Sequence, residues 1–319
     1  MEMKHKSLNN ALLILTALIW GSAFVAQSVG MDYIGPFTFN AVRNILGGLV
    51  LLPVIYVMKR NRKKAEGVSA DYSAISNADG HLSGYSSNSG EERKQLLLGG
   101  ICCGICLMAG SSLQQIGLQY TSPGKGGFIT ALYMLIVPIL GLFIGKRAGI
   151  KTWIGVVLAV IGMYFLCITD GFSIAKGDFI ILLASVAFAF HILVIDYFSE
   201  RADGVSMSCI QFFVCGVLSI FQMFLVEHPT VTGILLTWKP IAYTGILSSG
   251  VGYTLQIVAQ KNTDPTVASL LLSLESVFSV LAGWLILGDL LSGRELFGCL
   301  LVFIAVILAQ LPEKQYYKQ

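Results

Sequence analysis

Polar side chains set inside long apolar runs are the candidates for chemistry in this sequence, because each needs a partner or a use where water is scarce. Glu275 follows the apolar run Ser269–Leu274 and has no residue of opposite charge in its own run. A carboxyl there could carry a proton, hold a substrate amine, or bond a neighbouring helix in its protonated form. Ser269, Ser273 and Ser276 recur beside it at i, i+4 and i+7, a stripe suited to a polar lining or to close helix packing. Arg43 also lies within an apolar run, where it could pair with an acid, attract an anionic substrate group, or snorkel to an interface. His191 is the one histidine deep in an apolar run. It reads as a satisfied core histidine or as a proton relay. Asp196, near the end of the same run, reads as solvated.

Amides and hydroxyls share helical faces with these groups. Ser249, Tyr253, Gln256 and Gln260 fall on one face of their run, and Ser111, Gln115 and Gln119 on one face of another. Such faces suit a polar, uncharged or zwitterionic ligand, or hydrogen bonds between helices. Trp20 and Gln27 stand at i and i+7 of the first run and could line the same space. The candidate substrate-binding set is therefore Trp20, Gln27, Arg43, Gln114, Tyr133, His191, Tyr253, Gln256 and Glu275. No catalytic, metal or cofactor set accompanies it. There is no Walker loop, no H-E-x-x-H, and no Ser/His arrangement beyond chance. The seven cysteines are odd in number, lie in apolar runs, and read as reduced packing residues.

These residues need long apolar elements to hold them. Of the 319 residues, 55% are hydrophobic and 12% charged, about half the ~25% charged of an ordinary soluble domain. That excludes a soluble globular protein, a disordered chain and a nucleic-acid binder; a net charge of +3 is too small to argue for a polyanionic partner. An all-α polytopic membrane protein remains. Ten runs approach the ~20 residues a spanning helix requires: 8–28, 37–58, 96–119, 124–145, 150–168, 177–197, 206–226, 238–260, 266–288 and 294–311. The first reads as an uncleaved helix rather than a signal peptide. With the N-terminus inside, sixteen Lys and Arg fall on the inside and four outside (Lys125, Lys176, Lys239, Arg294). That split predicts ten spans with both termini cytoplasmic. The one long connection carries a Ser-, Gly-, Asn- and Asp-rich stretch, and 65–92 reads as a disordered cytoplasmic insertion.

The chain also repeats itself. A shift of 142 positions lays Gly110–Pro123 on Gly252–Pro265, with Gly110/Gly252, Leu113/Leu255, Gln114/Gln256, Thr121/Thr263 and Pro123/Pro265 identical. The register continues through Gly141/Gly283 and Ile144/Ile286, and after one inserted residue Lys151 meets Arg294. Earlier matches are weaker: Trp20 to Phe188, and Gly47 to Gly216. Tyr133 is the counterpart of Glu275. Each copy, 1–168 and 169–319, holds five runs, an odd number, so the second must thread the membrane inverted. Inverted repeats are the geometric basis of alternating access to a central site.

Three segments carry a resemblance to a known family: Ala17–Gln27, Ala131–Leu166 and Ser273–Ala309. Together with the twice-repeated pattern of helix, L-x-L-G-(E/D)-like turn, short loop and glycine-led helix, they resemble the EamA-type branch of the drug/metabolite transporter superfamily. The resemblance covers nearly the whole chain apart from 65–92. It implies ten helices in two inverted five-helix repeats around a central cavity, and efflux or uptake of small polar metabolites such as amino acids. The acid usual after the fourth helix is Lys146 here, while Asp289 keeps an acid after the ninth. The expectation is a non-enzymatic secondary transporter in the cytoplasmic membrane without a cofactor, an exporter or exchanger open to proton coupling. Its expected partners are a small-molecule substrate, membrane lipid and, through Gly141–Gly145, a second copy of itself; nucleic acid is not among them. The alternative is a non-transporting membrane sensor or partner subunit that uses the long loop.

Overall fold

A computed structural model describes residues 2–76, 89–146, 149–167, 176–261, 263–288 and 292–310. Every described element is helical. They are α1 (Glu2–Gly30), α2 (Pro36–Ser76), α3 (Ser89–Leu118), α4 (Pro123–Ala131), α5 (Tyr133–Phe143), α6 (Ile150–Cys167), α7 (Lys176–Ser199), α8 (Gly204–Val226), α9 (Val231–Leu236), α10 (Trp238–Ala242), α11 (Thr254–Gln260), α12 (Pro265–Leu272), α13 (Glu275–Ala282) and α14 (Gly293–Gln310). Two π-helical segments join them: π1 (Tyr243–Tyr253) between α10 and α11, and π2 (Gly283–Leu287) after α13. Among the described residues, seven helical segments are long and apolar enough to cross a membrane, and two shorter apolar helices, Ile150–Gly162 and Leu296–Leu308, accompany them. The outward surface is apolar, with Phe143 and Leu225 each 84% exposed. The interior, by contrast, holds arginine, glutamate and glutamines. That reversal of ordinary burial suits a lipid surround.

Helix ends follow from local chemistry. Ser122 accepts a hydrogen bond from the Lys125 N–H ahead of Pro123, and Asp264 accepts from the N–H groups of Thr266 and Val267 ahead of Pro265. A side-chain cap followed by proline at the first helical position fixes a start, because proline lacks only a donor that would be orphaned there. The next two devices are also matched. The helix begun at Pro123 breaks at Leu132, and the one begun at Pro265 breaks at Ser273–Leu274. Each break tightens to i−3 bonds, Leu135 N–H to Leu132 O and Ser276 N–H to Ser273 O. Both broken helices end at a glycine with φ 77°, Gly145 and Gly288. Gly141 to Gly145 is one residue shorter than Gly283 to Gly288, and the wider turn of π2 takes up the extra residue.

The packing pairs the elements in a reciprocal pattern. α2 lies against α8, and α6 against α14. α1 packs on π1, α11, α12 and α13, while α7 packs on α3, α4 and α5. Close approach is needed where α1 crosses α13: a Cβ on Gly21 would meet the Phe278 Cβ and lie 2.7 Å from the Glu275 carbonyl oxygen.

The compositional reading of 65–92 meets helix at both edges, since α2 runs on to Ser76 and α3 starts at Ser89; residues 77–88 lie outside the described residues. Asp289 lies outside them too. Asp196 is not solvated as its position suggested. It forms an ion pair with Lys146 and its side chain is only 13% exposed. The lysine that stands in place of an acid after α5 therefore ties α5 to α7.

Candidate functional site

One cavity sits at the centre of the bundle, and all nine sequence candidates line it: Trp20, Gln27, Arg43, Gln114, Tyr133, His191, Tyr253, Gln256 and Glu275. Trp20 and Gln27 come from α1, and the other seven each arrive on a different element. Tyr133 and Glu275 are the first residues after the two breaks, so the interruptions that bend α4–α5 and α12–α13 also turn these side chains inward. The phenol of Tyr133 stands near enough to Glu275 to sense its charge. Its hydroxyl nevertheless meets no hydrogen-bond partner of ordinary geometry.

Arg43 is 4% exposed, so it does not snorkel. Its guanidinium donates to Gln27 Oε1 at 2.7 Å and lies 5.6 Å from the Phe39 ring centre, leaving Nε without a partner. Among the described residues no carboxylate forms an ion pair with it. Glu275 is 3% exposed, and its Oε1 is likewise unpartnered. The cavity thus holds one buried cationic side chain and one buried carboxyl that do not neutralise each other. Unpaired groups of this kind are expensive in a low-dielectric interior.

The rest of the lining is held firmly. Gln114 donates to Thr130 Oγ1 at 3.0 Å, and His191 Nε2 bonds Gln211 Oε1 at 2.9 Å. Trp20 donates its indole N–H to the Ser248 carbonyl at 3.2 Å, and its ring lies 4.4 Å from that of Tyr253. His191 and Phe212 approach Tyr253 edge-on at 5.7 and 5.9 Å, so Tyr253 is the hub of an aromatic cluster. Gln256 keeps an unpartnered Oε1. The free space is about 30 Å³, room for roughly two water molecules. A metabolite needs the walls to part.

Other expected lining residues lie elsewhere. Ser249 and Gln260 are buried away from the cavity, Gln119 is exposed, and Gln115 donates to the Gln27 carbonyl at 3.3 Å. The reason in the first case is π1. Its wider turn replaces the i, i+4 register, and Ser248 rather than Ser249 shares the cavity with Tyr253. Ser269, Ser273 and Ser276 donate to carbonyls three residues back, as does Ser279, and serve packing. Sequence reasoning passed over Phe24, Thr130, Phe188, Ile192 and Ser248 in the lining. For Phe188 a signal existed, its alignment with Trp20.

Residues 8–168 and again 175–311 match the EamA-like transporter family. An uncharacterized transporter of Archaeoglobus fulgidus is 29% identical over 302 residues, covering 94% of this chain and 84% of its own. A WAT1-related chloroplastic protein of Arabidopsis thaliana is 27% identical, covering 95% and 69%. The uncharacterized transporter YoaV of Bacillus subtilis is 21% identical, covering 93% and 94%. A solved crystal structure superposes with a TM-score of 0.71 at 17% identity, covering 95% of this chain and 96% of that one.

Proposed function

The chain belongs to the EamA-like transporter family, and from that premise we propose that it is a secondary active transporter, an exporter or exchanger of small metabolites such as amino acids, working by alternating access. It is a multi-pass membrane protein of ten spans: the seven long segments, α6, α14, and the composite α10–π1–α11. The spans form two inverted five-helix halves in the cytoplasmic membrane, with both termini and the 65–92 insertion on the cytoplasmic side. The matched caps, breaks and terminal glycines of α4–α5 and α12–α13 support the duplication, and the reciprocal packing supports its inversion.

The observation that carries the reading is the pair of buried, mutually unneutralised groups in one central cavity. Arg43 offers a donor to an anionic substrate group. Glu275 offers a carboxyl that takes up a proton or receives a substrate ammonium. Trp20, Tyr253 and His191 supply an aromatic wall, and Gln114 and Gln256 supply amides. The closed cavity is too small for a metabolite; when the halves part, substrate and proton compete for Glu275 and the site faces one side at a time.

Flux of candidate metabolites in proteoliposomes with an imposed pH gradient tests this. Glu275→Gln removes the titrating group while keeping shape, so gradient-driven flux should stop. Undiminished pH-driven flux in that variant would remove the proton from the mechanism.

A further inference from the structure

We propose that Glu227 is a latch between the two halves: its carboxylate holds shut the end of the bundle where α2 begins and α8 ends, and its release accompanies exposure of the central cavity at that end. This rests on the alternating-access reading and adds a gate to it.

Glu227 follows the last residue of α8 with an extended backbone, φ −122° and ψ 162°. Its Oε1 accepts the Phe37 N–H at 2.8 Å; Oε2 accepts the Thr38 N–H at 2.8 Å and the Thr38 hydroxyl at 2.6 Å. Both oxygens of one carboxylate are thus spent on the first turn of a helix about 190 residues away in sequence. A helix N-terminus presents unsatisfied N–H groups and a partial positive charge, so the charged acceptor is well matched to it. Gly35, just before Pro36, has no side chain to cap α2. A Cβ there would collide with the Glu227 carboxyl group itself.

The other end of the same helix pair differs. α2 and α8 cross near their middles, where a Cβ on Gly48 would lie 3.1 Å from the Phe213 ring and one on Gly216 would lie 2.7 Å from Ile45. With Gly47 laid on Gly216, Glu227 corresponds to Met58 and Phe37 to Ser206. The Ser206 N–H is taken by Asp203, the residue capping its own helix, at 2.8 Å. The α2 residue at the position matching Glu227 is Met58, which has no carboxylate to offer it. Instead Met58, Lys59, Asp203 and Ser206 border a cavity of about 670 Å³. One end of the pair is fastened across the halves, and its counterpart borders open space. Alternating access requires that the two ends not be open in the same state, and the Glu227 bonds supply a discrete, breakable closure for one of them.

Hydrogen–deuterium exchange on the full chain in lipid nanodiscs tests the latch, comparing the parent with Glu227→Ala, Glu227→Gln and the milder Thr38→Val. Segment 33–43 should exchange about tenfold faster in Glu227→Ala, from the lost cap, and less so in the other two. At the far end, segments 90–96 and 199–206 should become slower to exchange as the population shifts toward closure there. Faster exchange at 33–43 with the far end unchanged would reduce Glu227 to a helix cap and overturn the proposal, as would unchanged exchange at both ends. Reciprocal exchange in a protein that moves no substrate would keep the latch and remove the transport reading, so the two fail separately.

Discussion

The two broken helices share a backbone and differ in chemistry. α4–α5 and α12–α13 start with a side-chain cap and a proline, break at equivalent residues, and end at a glycine of positive φ. Yet the first inward residue after the break is Tyr133 in one and Glu275 in the other. Their attachments differ too. α4–α5 is tied to α7 by ion pairs at both ends, Lys125 with Asp178 at 2.7 Å and Lys146 with Asp196. α13 is held to α1 by close apolar contact at Gly21, with no ion pair among the described residues. Shared geometry with divided chemistry teaches that duplication supplies the bend, while one copy alone keeps the ionisable group.

The largest expected effect separates the two inward residues. Glu275→Gln should bring pH-driven flux in proteoliposomes to background, whereas Tyr133→Phe, which leaves the Glu275 carboxyl in place, should keep it within about twofold. Equal losses would erase the division of labour. Next comes the contact that holds α13 against α1. Gly21→Ala forces a methyl against backbone atoms of α13 and should cost about 1–3 kcal/mol, read as a lower Tm in detergent. A Gly127→Ala change meets side-chain atoms of Ser279 and Phe24 and no backbone atom among its nearest neighbours, and should cost less. Removing a tether, as in Lys125→Ala or Lys146→Ala, should cost about 1 kcal/mol in the same assay, because both lysines are partly exposed and screened.

Much of this arrangement could be read from residue order. The helices follow the apolar runs because a spanning segment needs continuous hydrophobicity. The nine candidates meet in one cavity because polar groups in such segments avoid lipid and turn inward. What stayed hidden depends on backbone register or on distant partners. Apolar spacing of 3.6 residues places Ser249 beside Tyr253, and nothing in the composition announces the π turn that substitutes Ser248. Asp196 reads as a solvated acid because its lysine lies 50 positions away. Glu227 gives no signal in the sequence because two of its three bonds come from main-chain N–H groups about 190 positions away, which carry no sequence signature.

The central claim is that one cavity is presented to both sides of the membrane in turn. A single cysteine at Thr130, in a chain cleared of its native cysteines, can be challenged with a membrane-impermeant thiol reagent in vesicles of each orientation. The account predicts labelling from either face, with reaction from one face blocking reaction from the other. Labelling confined to one face at every pH and substrate concentration would contradict it.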